Sequence, residues 1–203
     1  MWLMHGGHKL VLVFLALAPL VAGCTPAGVA VGAGARVGAA AIEERGIGGY
    51  ASDTALRMRI HDLLLQRRLA YLASVNVSAS EGRVMLTGTV ATTEARNEVI
   101  DMARSVPGVR RLYDELQVTS GSNFGDESRD AWITAKLRAR LFGDKVIADV
   151  NYDITTVNGT VYLLGLAQDG AEVDRVIAYV RDISGVRAVV NHVMVKTDPD
   201  RYK

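Results

Sequence analysis

The chain has 203 residues, 49% of them hydrophobic, which suffices for one large or two small domains with a buried core. Its 23 basic and 22 acidic residues give a formal net charge of +1, which excludes the strongly basic surface of a general nucleic-acid-binding protein. Because there is only 1 cysteine, no internal disulfide can form, and packing alone must stabilise the domains.

The first residues have the pattern of an export signal. Lys9 precedes an apolar run, Leu10–Leu20, that is far shorter than the roughly 20 residues of a membrane-spanning helix. The run ends in Val-Ala-Gly-Cys, which resembles a bacterial lipobox, and that resemblance implies cleavage before Cys24 and attachment of lipid to its sulfur. The alternative is a small buried core cysteine. We predict a signal peptide over residues 1–23 and lipidation at Cys24.

Residues 24–53 are rich in alanine and glycine and show no sustained period, which predicts a tether. The glycines do not form a phosphate-binding loop, because no predicted strand precedes them and no Lys-Ser or Lys-Thr follows.

An internal repeat is the most informative feature of the chain. Residues 54–118 recur at 131–195, an offset of 77 residues without a gap. The pattern Gly-x-Val-x-Leu-x-Gly occurs at Gly82–Gly88 and again at Gly159–Gly165. One fold is therefore duplicated, and we predict a first domain over 54–118, a linker over 119–127, a second domain over 128–195 and a C-terminal tail over 196–203.

Each copy reads as helix, strand, strand, helix, strand. Apolar residues spaced by four predict helices near 55–68 and 130–142. Alternating runs predict hairpins over 75–79 with 83–90 and over 152–157 with 160–166, and Asn158-Gly159 suits a primed turn. Second helices over 93–105 and 170–182 precede closing strands over 109–118 and 186–195, and Asp169 with Glu172 resembles a capping box.

These elements predict an α+β fold of two tandem α-β-β-α-β units, each with a three-stranded mixed sheet packed on two helices. A unit of this size is only marginally stable alone, so we expect the two copies to contact each other.

Two such units, each with Gly-x-Val-x-Leu-x-Gly and a later Gly-Val, resemble BON domains, here preceded by a lipobox and an Ala/Gly tether. The resemblance to dual BON-domain outer-membrane lipoproteins implies a non-enzymatic protein that binds anionic phospholipids, phosphatidylglycerol or cardiolipin, through its second domain. It also implies support of envelope integrity at division sites. Thr25, in place of Asp after the cysteine, resembles the signal for sorting to the outer membrane, where the protein would face the periplasm.

The repeat identifies a candidate lipid-binding helix. Trp132 replaces Ala55 of the first copy, so the fold does not require an indole there, and Lys136 and Arg140 follow on the same helical line. Tryptophan suits the headgroup level of a membrane, and each nearby cation adds about 1 kcal/mol beside an anionic leaflet. Residues 129–145 hold five basic and two acidic residues, a net charge of +3. The predicted lipid-binding residues are Trp132, Lys136, Arg138, Arg140 and Phe142.

Two other interpretations compete with this one. Trp132 could instead pack against the first domain, with the cations forming an ordinary solvated face, and Asp149 and Asp153 could weaken attraction for anions. Alternatively, the same helix could dock in a protein groove, which would make the chain a scaffold or holdase-like factor for outer-membrane protein assembly.

Catalytic chemistry has few candidates. His61 and His192 lack metal-ligand spacing, and neither a Gly-x-Ser-x-Gly elbow nor a His-Glu-x-x-His helix occurs. We therefore expect no enzyme activity, no metal, no cofactor and no nucleic-acid partner.

Overall fold

The computed structural model describes residues 46–67, 74–119 and 124–201. The predicted signal peptide, the predicted lipidation site at Cys24 and the tether up to residue 45 lie outside the described residues.

The first domain contains α1 (Gly46–Arg67), β1 (Val75–Ser80), β2 (Arg83–Val90), α2 (Thr93–Ser105) and β3 (Arg111–Val118). Its sheet has the order β1-β2-β3, with β1 antiparallel and β3 parallel to the central β2.

The second domain repeats this arrangement. It contains α3 (Phe124–Gly143), a short 3-10 turn (Asp149–Asn151), β4 (Tyr152–Val157), β5 (Thr160–Ala167), α4 (Gly170–Arg181) and β6 (Ala188–Val195). β5 is again central, antiparallel to β4 and parallel to β6. The predicted α+β fold of two α-β-β-α-β units with mixed sheets is therefore confirmed.

The first helix of each domain begins earlier than the periodicity predicts. α1 begins at Gly46 rather than near Ala55, and α3 begins at Phe124 rather than at Asp130, so part of the predicted tether and linker is helical. In the first domain, a buried aspartate within the added stretch accounts for part of this extension. Asp53 accepts hydrogen bonds from the backbone N–H groups of Glu81 and Gly82 at 2.7 and 2.9 Å, so the helix must already be formed at residue 53.

Asp130 does the same in the second domain, where its carboxylate accepts the N–H groups of Asn158 and Gly159 at 2.5 and 2.8 Å. These N–H groups belong to two-residue turns in which both residues have positive φ, 49° and 75° in this copy, as a primed hairpin turn requires. The primed turn predicted for Asn158-Gly159 is confirmed, and each domain uses one aspartate to fix its first helix to its hairpin.

Both helices of each domain pack on the same face of the sheet. In the first domain the buried core joins Leu56, Ile60 and Leu64 of α1 to Val99 and Ala103 of α2. In the second domain the corresponding helix residues are Ile133, Leu137, Leu141, Val176 and Val180. Side chains alternate along a strand, so this packing leaves the opposite face of each sheet for another contact.

The two sheets pack on each other through these opposite faces. Met85 of β2 is buried with Val157, Tyr162 and Leu164 of the second domain. The expected contact between the two copies is confirmed, and all four helices lie on the outside of the pair of domains.

Polar contacts also join the two domains at this boundary. Arg83 is 2% exposed and donates to the carbonyl oxygens of Gly165 and His192 at 2.8 and 3.0 Å. Burial lowers the pKa of Arg83 from its ordinary value, because the charged guanidinium is removed from water. The His192 ring stacks on Tyr113 at 3.9 Å and pairs with Glu115 at 2.8 Å.

The residues after β6 also contact the first domain. Arg201 is 7% exposed, and its guanidinium pairs with Glu81 at 2.5 Å. The carbonyl oxygen of Arg201 accepts a hydrogen bond from Arg110 at 2.8 Å. The chain segment beyond the second domain thus ties the two domains together.

Candidate membrane-contact surface

α3 presents one face to its core and the opposite face outward. Ile133, Leu137 and Leu141 are fully buried, which turns Trp132 away from the core and leaves it 49% exposed. α3 packs on the helix side of its sheet, whereas the first domain packs on the other side. Trp132 is therefore not enclosed between the domains.

Lys136 lies one turn after Trp132, with its ammonium nitrogen 4.6 Å from the centroid of the indole ring. This is a cation–π contact, which at an exposed site contributes about 0.5–1 kcal/mol. It holds a positive charge beside the exposed ring.

The two arginines of the predicted set turn to opposite sides of α3. Arg140 contacts the C-terminal end of α4, where it donates to the carbonyl oxygen of Tyr179 at 3.3 Å and pairs with Asp182, the residue after the helix, at 2.7 Å. Arg138 contacts β4 and donates to the carbonyl oxygen of Ile154 at 3.3 Å. Arg140 follows Trp132 and Lys136 on the helical line but engages a carboxylate, so Lys136 is the cation that stays beside the indole.

The end of α3 is the most apolar part of this face. Phe142 is 82% exposed and Val146, in the following loop, is 65% exposed, with the exposed Lys145 between them. We call Trp132, Lys136, Phe142, Lys145 and Val146 the outer α3 surface. It places apolar side chains at the middle of α3 and at its C-terminal end, with a cation close to each.

Asp144 fixes the loop that carries Val146. Its carboxylate accepts hydrogen bonds from the hydroxyl of Tyr179 at 2.6 Å and from the N–H of Val146 at 3.0 Å, and it pairs with Arg175 at 2.5 Å. These hydrogen bonds lower the pKa of Asp144 to about 2, and the bond from the Tyr179 hydroxyl has the largest effect. The ionised carboxylate therefore holds the loop against α4.

The two carboxylates expected to oppose anion binding occupy different places. A carboxylate oxygen of Asp153 lies 3.8 Å from a guanidinium nitrogen of Arg57 in the first domain, so Asp153 belongs to the domain boundary. Asp149 lines a cavity of about 320 Å³ beside the outer α3 surface, together with Arg138, Ala139, Leu141, Phe142 and Ile154.

A buried glutamate positions the wall of this cavity. Glu172 is 3% exposed, and its carboxylate accepts hydrogen bonds from the N–H of Ala148, the hydroxyl of Tyr152 and the N–H of Gln168. Asp169 caps α4 by accepting the N–H of Glu172 at 2.9 Å, which is half of the predicted capping box. The other half is altered, because Glu172 reaches Gln168, one residue before the cap. Ala148 and Tyr152, which flank the 3-10 turn with Asp149, are thereby tied to α4.

Sequence reasoning missed Val146, Asp53 and the placement of Arg138 and Asp149 around one cavity. The signal for Val146 was an apolar residue that directly follows the charged pair Asp144-Lys145. Asp53 and Asp130 stand at the repeat offset just before the aligned segment, so extending the repeat by one residue would have found them.

Other chemistries find no support in the described ranges. No group of three or more His, Cys, Asp or Glu side chains there is arranged to hold a metal ion. Within these same ranges, no helix has the length and apolar character needed to cross a membrane.

The fold and this surface define a class, namely two tandem α-β-β-α-β units packed through their sheets, with an outward helix that exposes aromatic and cationic side chains. Residues 52–120 and 129–197 match the BON domain family, whose model covers both units. The chain belongs to this family.

Three relatives are similar in sequence over most of this chain. The chain is 34% identical to an uncharacterised Anaplasma centrale protein encoded in the gshII 5′ region, over 71% of this chain and 95% of the relative. It is 29% identical to the outer membrane lipoprotein DolP of Haemophilus influenzae, over 83% of this chain and 86% of the relative. It is 27% identical to a 21 kDa hemolysin of Actinobacillus pleuropneumoniae, over 73% and 77%.

Proposed function

We propose that this protein is a non-enzymatic outer-membrane lipoprotein that faces the periplasm, binds anionic phospholipids through its second domain and supports envelope integrity at division sites. The similarity to DolP and the lipobox pattern at Cys24 support the location. The resemblance to dual BON-domain lipoproteins supports the cellular role.

The proposal of lipid binding rests on the exposure of three large apolar side chains. Trp132 and Phe142 of α3 are 49% and 82% exposed, and Val146 of the following loop is 65% exposed, on a surface that points away from the first domain. Large apolar side chains exposed together mark a contact with a partner or a membrane.

The free-energy contributions of these side chains favour binding to a membrane. Transfer of a large apolar side chain from water contributes about 1.5–3 kcal/mol to the free energy of binding. The indole of tryptophan is favoured at the headgroup level of a membrane. Lys136 and Lys145 each add about 1 kcal/mol beside an anionic leaflet. Because a lipid anchor at Cys24 would already hold the chain at the membrane, these modest contributions suffice to orient the second domain.

Flotation of the unacylated chain Thr25–Lys203 with vesicles tests this proposal. We expect binding to phosphatidylglycerol or cardiolipin vesicles and much weaker binding to phosphatidylcholine vesicles. Trp132→Glu should weaken binding to anionic vesicles at least tenfold, about 1.4 kcal/mol, because it removes the indole and adds a negative charge. Met58→Glu is the matched control, since Met58 is 62% exposed on α1 of the first domain.

Equal binding to neutral and anionic vesicles, or full binding by Trp132→Glu, contradicts the proposal. The scaffold or holdase-like function would then stand in its place. Photo-crosslinkers at positions 132 and 136 distinguish the two in cells, because a scaffold captures one protein and no lipid.

A further inference from the structure

The cavity beside the outer α3 surface contains one cation and one carboxylate. Its volume is about 320 Å³, and it lies between the end of α3, the 3-10 turn and β4. Arg138 and Asp149 supply the charges, while Ala139, Leu141, Phe142 and Ile154 supply apolar wall. The volume equals that of about ten molecules of liquid water, which is enough for a small polar headgroup.

The two charged groups do not neutralise each other. Among the described residues, the Arg138 guanidinium donates to the carbonyl oxygen of Ile154 and forms no ion pair with Asp149. The carboxylate of Asp149 has no hydrogen-bond or ion-pair partner within the described part of the chain. A guanidinium has five N–H donors, so most of them remain for a ligand.

The first domain lacks this pair. At the repeat offset, Arg138 corresponds to His61 and Asp149 to Leu72. The fold therefore does not need a carboxylate at this position, just as it does not need an indole at position 132.

We propose that this cavity binds a phosphoethanolamine group, with Arg138 on the phosphate and Asp149 on the ammonium. An arginine suits the geometry of phosphate oxygens, and charge-assisted hydrogen bonds are about twice as strong as neutral ones. An ethanolamine ammonium has three N–H groups that can donate hydrogen bonds, to a carboxylate among other acceptors, whereas the methylated ammonium of choline has none. Asp149 therefore selects ethanolamine over choline.

This inference rests on the proposed function for its source of ligand, because Phe142 belongs both to the cavity wall and to the outer α3 surface. A helix lying on a bilayer would bring the cavity to headgroup level. The same chemical group also occurs in soluble phosphoethanolamine and glycerophosphoethanolamine, so the experiment treats membrane and soluble sources separately.

The first arm compares two vesicle types that have the same phosphatidylglycerol fraction and either phosphatidylethanolamine or phosphatidylcholine as the remainder. The unacylated chain Thr25–Lys203 should bind the ethanolamine vesicles at least threefold more tightly. Asp149→Asn should abolish this preference and keep full binding to the choline vesicles. Asp174→Asn, which removes an exposed carboxylate of α4 with the same charge change, should keep the preference. A preference that persists in Asp149→Asn would come from bilayer packing and overturns the inference.

The second arm titrates soluble glycerophosphoethanolamine and follows the amide resonances of Ala139 and Ile154. The wild-type chain should show saturable shifts that Asp149→Asn lacks. Saturable shifts without binding to any vesicle would refute the proposed function and retain this site for a soluble ligand. Vesicle binding with no ethanolamine preference and no shifts would retain the proposed function and refute the site.

Discussion

At the scale of single residues, the Gly-x-Val-x-Leu-x-Gly pattern has two physical causes. Its first glycine, Gly82 or Gly159, is the second residue of the hairpin turn, with φ of 74° or 75°. Its last glycine, Gly88 or Gly165, lies where the neighbouring strand approaches closely. A Cβ atom there would be 1.9 Å from the carbonyl oxygen of Ser74 or 2.1 Å from that of Asn151. The family pattern thus marks backbone positions that exclude larger residues.

The glycines at the close approach should tolerate no side chain. We expect Gly165→Ala to destabilise the chain by about 3 kcal/mol or more, because the clash is with backbone atoms and the sheet must shift. Urea unfolding measures the loss. Gly143→Ala is the control, since nothing lies within 4 Å of its added Cβ, and it should be neutral or slightly stabilising. Equal effects of the two substitutions would contradict this account.

At the scale of elements, the loop after α3 depends on one carboxylate. Asp144 joins the N–H of Val146 to Tyr179 and Arg175 on α4, so the exposed end of the outer α3 surface has a fixed position. The pKa of Asp144 is about 2 in the folded chain, below the ordinary value of about 3.9. A lowered carboxyl pKa means that the ionised form stabilises the folded state.

This contribution should be present above about pH 4 and lost as pH falls through about 2. We expect Asp144→Asn to remove that part of the acid sensitivity, so that the free energies of unfolding of the two chains converge at low pH. Urea unfolding between pH 7 and about pH 2 measures this difference. Asp174→Asn, an exposed carboxylate on α4, should leave the profile unchanged. A constant gap between wild type and Asp144→Asn at every pH would refute the role of ionisation.

At the scale of the whole molecule, the two copies have diverged where they meet. Ser80 and Thr87 of the first domain correspond to Val157 and Leu164 of the second. The boundary therefore packs a more polar sheet face, with the buried Arg83, against an apolar one. The apolar face of the second domain would be unfavourable in water, so the contact with the first domain stabilises it.

We expect the two domains to unfold in one cooperative transition, because exposing the boundary would expose both sheets. Leu164→Asp, which places a carboxylate in the fully buried boundary, should lower the midpoint and split the transition in two. Differential scanning calorimetry resolves the number of transitions. Val146→Asp makes the same charge change at an exposed position and should keep one transition. A single unshifted transition in Leu164→Asp would show that the boundary contributes little.

The sequence alone determined the repeat, the order of elements and the buried stripe of each first helix, because periodicity and turn residues act locally. The tertiary structure decided which strands are neighbours, which sheet faces meet and which cations are paired. Arg140 pairs with Asp182 just after α4, Arg138 shares a cavity with Asp149, and Arg83 donates to Gly165 of the other domain. These contacts join side chains that are distant along the chain, so no local pattern records them. The exposure of Trp132 also depends on the tertiary structure. Trp132 is exposed because the domains pack through the sheet faces opposite to their helices, and only the structure of both domains together shows this.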